Sequence, residues 1–167
     1  MKKTQQLLYL SLLIAIEVIL TRFLSIQTPI VRIGLGMLPI ALMGIMFGPL
    51  SAGIGAVIAD LIGMILFPKG AYFPGFTFSA FLSGCLLGLI LHNKFSLKRV
   101  LLAVFLVSIL IHLGLNTIWL SMLMNKGVLA ILPSRIIKTL ITFVIDSFTI
   151  FSVWTLLKTR IPALQHK

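Results

Sequence analysis

The sequence predicts an all-α integral membrane protein, a six-helix transmembrane bundle with lid-like outer loops. Three observations predict it. Hydrophobic residues make up 59% of the 167 positions and charged residues only 10%, with a mean hydropathy of +1.17. The apolar residues gather into runs approaching the ~20 that cross a bilayer as a helix. Finally, the only three acids, Glu17, Asp60 and Asp146, all lie inside those runs, against 14 Lys and Arg. A carboxylate in hydrocarbon is costly unless it finds a partner or water, so each is a candidate functional residue.

The first run, Leu7–Leu24, follows Lys2 and Lys3. It is long for a signal-peptide core and has no small-residue cleavage site behind it, so it reads as a span. Met37–Phe47 is short, a tilted or partial span that leans on its neighbours. Leu50–Phe67 carries Ser51, Gly55, Ala59 and Gly63 at four-residue spacing, and Phe76–His92 carries Ala80, Gly84 and Gly88 likewise. Such stripes let helix backbones approach closely, here for packing within the bundle. Val100–Met124 and Ile131–Leu157 complete the set. Six spans leave no room for a soluble module, so residues 1–167 read as one domain. The single cysteine, Cys85, allows no intrachain disulfide.

The net charge of +11 reads first as topology. Lys2, Lys3, Lys94, Lys98, Arg99, Lys158, Arg160 and Lys167 fall at the termini and the fourth–fifth connection, which six spans place on one side; the Met46–Ser51 turn joins them there. By the positive-inside rule that side is the cytoplasm. No soluble basic face exists for nucleic acid. On the other side stand Arg22, Arg32, Lys69, Lys126, Arg135 and Lys138. Arg22, Lys69 and Lys126 read either as snorkelling side chains or as site residues. Arg32, Arg135 and Lys138 are harder to dismiss as snorkelling.

The outer connections are unusually apolar. Pro29 excludes regular helix from Ser25–Gly36, and its alternation suggests an extended, hairpin-like segment with tight geometry at Gly34 and Gly36. Phe67–Phe76 is aromatic and turn-rich. Irregular backbone cannot face lipid, so both are expected to fold back over the helices as a lid.

Arg22-Phe-Leu-Ser-Ile-Gln-Thr-Pro29, Val31-Arg32-Ile-Gly, Met37-Leu-Pro-Ile40, Phe47-Gly-Pro-Leu-Ser-Ala-Gly53, Ala59-Asp60-Leu-Ile-Gly63 and Tyr72-Phe-Pro-Gly-Phe-Thr-Phe-Ser-Ala80 carry a family resemblance. Asn116 with Trp119 and Leu120, and Leu132-Pro-Ser-Arg135, extend it through the last two helices. The chain resembles the substrate-binding S components of energy-coupling factor (ECF) vitamin transporters, specifically the folate type. The resemblance implies a six-helix S-component bundle in a bacterial plasma membrane, with both termini cytoplasmic. It implies capture of folate from outside and delivery by toppling in the bilayer. The partners it implies are an ECF module of one transmembrane subunit and two ATPases. It also implies a small-xxx-small contact for that module on the first helix, where this chain reads Ser11-Leu-Leu-Ile-Ala15, with serine in place of the family's first alanine.

Folate asks for aromatic surfaces, hydrogen-bonding groups for the pterin edge and cations for the glutamate tail. The residues expected to supply them are Gln27, Arg32, Asp60, Tyr72, Phe73, Phe76, Asn116, Trp119, Arg135 and Lys138. Arg135, Lys138, Thr142 and Asp146 fall at three- and four-residue steps, a polar stripe on the last helix. Asp60 has two readings: a bidentate acceptor for the pterin, or an internal partner of Arg32 or Lys138 that holds helices together. Glu17, Asp146 and His112 read first as groups satisfied within the bundle. No Gly-rich loop with Lys-Ser/Thr cradles phosphate, so ATP hydrolysis belongs to other chains. His92, His112 and His166 are too dispersed for a zinc site. No cofactor or metal is expected. The alternatives are an S component for another vitamin or nucleobase-like compound and, more distantly, an intramembrane lipid-modifying enzyme.

Overall fold

In lipid a chain must satisfy its backbone hydrogen bonds internally, and helices do so segment by segment. The computed structural model, which describes residues 3–27, 32–68 and 71–160, is built this way. Its elements are α1 (Lys3–Arg22), β1 (Ile26–Gln27), β2 (Arg32–Ile33), α2 (Met37–Phe47), α3 (Pro49–Leu66), α4 (Pro74–Leu91), α5 (Leu97–Leu106), a π-helical segment (Val107–Leu115), α6 (Asn116–Met124) and α7 (Val128–Arg160). From α5 to α6 the chain is one continuous rod, Leu97–Met124. Among the described residues, five helices are long and apolar enough to cross a membrane, and α2 is a shorter apolar one.

The helices overrun the hydropathy-based bounds at several ends. α1 begins at Lys3 rather than Leu7, and α7 runs from Val128 through Pro133 to Arg160. Hydropathy marks the apolar length of a helix, whereas hydrogen bonding continues into the polar interface. The expected Met46–Ser51 turn shrinks to Gly48 alone between α2 and α3. Gly48 has φ +89°, and its N–H donates to the Gly44 carbonyl at 3.0 Å. Pro49 then opens α3, where a missing N–H removes no helical bond. Gly48 caps α2 and α3 at once with positive φ, a conformation that requires glycine.

The small-residue stripes pack inward, as expected. A Cβ on Gly84 would stand 2.5 Å from the Ala52 carbonyl oxygen, and one on Gly44 would stand 2.9 Å from Gly88 Cα. The backbones of α2, α3 and α4 therefore meet with almost nothing between them. Met43, Ala52, Ala56, Leu87 and Leu91 fill the core there. Leu7, Leu8, Leu12 and Ile19 of α1 are exposed, the outward apolar face that a lipid environment leaves unburied.

The first outer connection forms the expected hairpin. Ile26 pairs with Ile33 and Gln27 with Arg32 in an antiparallel ladder, while its tip, Thr28 to Val31, and Lys69 of the next connection lie outside the described residues. α1 begins at the end of the bundle where α2, α4 and α7 finish. That end carries Lys94, Lys98 and Arg99.

Candidate ligand-binding site

At the opposite end, where α1 and α3 finish and α2, α4 and α7 begin, the helices part around a cavity of about 660 Å³. The three acids of the chain, Glu17, Asp60 and Asp146, all line it. Glu17 and Asp146, expected as groups satisfied within the bundle, are buried, and both also reach the cavity wall. Glu17 is flanked by apolar residues in its own helix, so only the tertiary arrangement shows which space it faces.

Arg22, readable from sequence as a snorkelling side chain, is 4% exposed. Its Nη2 lies 3.6 Å from Asp60 Oδ1, and its Nη1 donates to the Phe67 carbonyl at 3.4 Å. Gly63 makes this possible, since a Cβ there would stand 2.5 Å from Arg22 Nε. The guanidinium therefore lies across α3 in the space of an absent side chain. Asp60 does pair internally, with Arg22. Its second oxygen, Oδ2, accepts from the Thr77 hydroxyl at 2.8 Å, and that hydroxyl also lies 3.3 Å from the Tyr72 phenol oxygen.

The polar stripe of α7 arrives intact, with Arg135, Lys138, Thr142 and Asp146 all on the cavity wall. Arg135 is buried, and its Nη2 donates to the His112 carbonyl at 2.6 Å. His112 lies in the π-helical segment. Such segments interrupt the usual i→i−4 register and often mark functional sites. Sequence reasoning missed the π-helix because hydropathy carries no information about hydrogen-bond register. His112 Nδ1 lies 3.3 Å from Asn116 Nδ2, which makes this nitrogen the acceptor. Both residues line the cavity, so His112 is a wall residue as well as an interhelical one.

Three of the four expected aromatic residues reach the cavity. Tyr72, Phe73 and Phe76 line the cavity, with the Phe73 and Phe76 rings edge to face at 6.0 Å. Trp119 stands behind Phe73 at 5.7 Å and is not among the lining residues. Its Nε1 donates to Ser79 Oγ at 3.1 Å. The indole thus buttresses the aromatic wall. Ser25, Gly34 and Gly36 from the first outer connection and Ala71 from the second also line the cavity, as lid segments would. The side chains of Gln27 and Arg32 lie outside the described residues. Ser11 and Ala15 are exposed near the middle of α1, with Ser11 Oγ donating to the Leu8 carbonyl at 3.0 Å.

This arrangement can hold an elongated polar molecule without altering it. Aromatic rings face one side, cations of α7 lie towards the mouth, and acceptors lie deeper. The family model described as ECF-type riboflavin transporter, S component, matches residues 1–161. A Folate transporter FolT of Clostridium novyi (strain NT) is 49% identical over 155 residues, covering 92% of this chain and 90% of its own length. A Folate transporter FolT of Leuconostoc mesenteroides is 36% identical over 150 residues, covering 86% and 80%. A crystal structure of FolT bound with folic acid superposes with a TM-score of 0.85 at 38% identity, covering 90% of this chain and 92% of that one.

Proposed function

We propose that this chain, which belongs to the ECF-type riboflavin transporter S-component family, is a folate-binding S component. A member of this family is a transporter subunit rather than an enzyme, and the apolar helices make it a multi-pass membrane protein. Folate bound from outside would be released inward when the subunit topples. The energy would come from ATP hydrolysed on other chains, an ECF module of one transmembrane subunit and two ATPases. The Lys and Arg at the end away from the cavity support a cytoplasmic placement for that end and for both termini. All 167 residues act as one six-helix binding domain in a bacterial plasma membrane.

The observation that carries the folate reading is the cavity's pair of α7 cations, Arg135 and Lys138, in a fold that holds folic acid in a relative. A glutamate tail supplies two carboxylates to match them. Tyr72, Phe73 and Phe76 form the flat surface for the pterin and benzoyl rings, with Trp119 behind them. Asn116 offers hydrogen bonds from the wall, and Gln27 and Arg32 would contribute from the hairpin strands. Asp60, held by Arg22 and Thr77, orders the wall beside Tyr72.

A second reading, riboflavin as ligand, is favoured by the description of the matching family model. The ribityl tail of riboflavin is neutral and brings no carboxylate to the α7 cations. The deciding experiment identifies by mass spectrometry the compound retained by the protein purified in detergent. A folate or another pterin is expected; a flavin would replace the folate reading with the riboflavin one.

A further inference from the structure

The carboxylate that the sequence offers most readily to a pterin, Asp60, already has partners on both oxygens. Asp146 does not. It is 4% exposed and lines the cavity, and its Oδ1 has no hydrogen-bond partner among the described residues. A buried carboxylate oxygen in the wall of a cavity is costly until donors reach it. The neighbouring hydroxyl cannot help, because Thr142 donates to the Lys138 carbonyl of its own helix at 3.0 Å. Asn116 Oδ1 also lacks a partner, but a neutral amide is the weaker acceptor.

We propose that Asp146 reads the donor edge of the pterin, with the ring held deep and the glutamate tail at Arg135 and Lys138. This rests on the folate reading above. The pterin presents its 2-amino group and N3–H side by side, two parallel donors that a carboxylate accepts as a fork. Asp146 lies eleven residues beyond Arg135 on α7, about 16 Å along the axis at 1.5 Å per residue. An extended pterin–benzoyl–glutamate covers that order of distance. One helix would thereby grip both ends of the ligand. A site built this way discriminates strongly against an analogue that lacks the donor.

The test measures binding of folate, pteroate and 2-desaminofolate to the purified wild-type protein and to Asp146→Asn. Asparagine keeps the shape but turns one acceptor into a donor facing the 2-amino group. The variant is expected to weaken folate and pteroate alike, by about 10- to 100-fold. Wild type is expected to reject 2-desaminofolate by a similar factor, and the variant to treat both folates nearly equally. Unchanged folate affinity in Asp146→Asn, or a preference for the 2-amino group that survives the substitution, overturns the proposal. If Asp146→Asn fails to fold, wild type alone decides: equal binding of folate and 2-desaminofolate overturns it, and a tenfold or greater loss supports it. Wild type that binds no folate at all defeats the functional reading itself, and this inference with it.

Discussion

Arg135 is held in place before any ligand arrives, because its Nη2 already donates to the His112 carbonyl. Such a guanidinium needs little reordering to meet a carboxylate. Replacing Arg135 with Ala is expected to cost on the order of 1.5–3 kcal/mol in folate binding, the range of charge-assisted hydrogen bonds. Pteroate, which lacks the glutamate, is expected to bind wild type and variant about equally, and titration with both ligands checks the difference. Arg22 acts on stability instead. Truncating one partner of a buried ion pair leaves the other uncompensated. Arg22→Met is therefore expected to lower the Tm, and adding Asp60→Asn to recover part of the loss. A double variant no more stable than Arg22→Met would show that the pair is not coupled. At this scale the sequence exposed the importance of Arg135, Lys138 and Asp60 through residue type and spacing. It hid the Arg22–Asp60 pair because the partners are 38 residues apart and meet only where Gly63 clears the way. It also hid that Glu17 and Asp146 face the cavity. A usable signal was present: an acid in a span is expected to turn towards the bundle interior rather than lipid.

Elements divide the labour by face. The glycines of α3 and α4 are consumed by contacts inside the bundle, so they are unavailable to a partner protein. α1 differs: Ser11 and Ala15 lie one turn apart near the middle of the helix, both exposed. Small side chains at that spacing let another helix approach the backbone. Enlarging both to Leu is expected to leave folate binding nearly normal while preventing co-purification with the ECF module and abolishing uptake in cells. Uptake that survives would place the partner surface on another face. Most of the element plan was legible because lipid imposes apolar length on every span, and Pro29 with Gly34 and Gly36 marked the hairpin. The π-helical segment was not legible. It arises from hydrogen-bond register, on which Val107–Leu115 reads like any other apolar helix.

At the scale of the whole molecule, one end carries much of the basic charge and the other carries the cavity. That asymmetry is what a membrane receptor needs, since the binding face and the coupling face are separate surfaces of one bundle. The same asymmetry explains why so few polar residues suffice. Every acid in the chain stands on the cavity wall, as do rings supplied by an outer connection and the start of α4. The central claim, that this one cavity recognises folate by its pterin and its anionic tail, is tested most directly by calorimetric titration of the purified subunit with folate and with riboflavin. The account predicts a saturable one-to-one isotherm for folate and no comparable heat for riboflavin. Tight one-to-one binding of riboflavin with none of folate would contradict it.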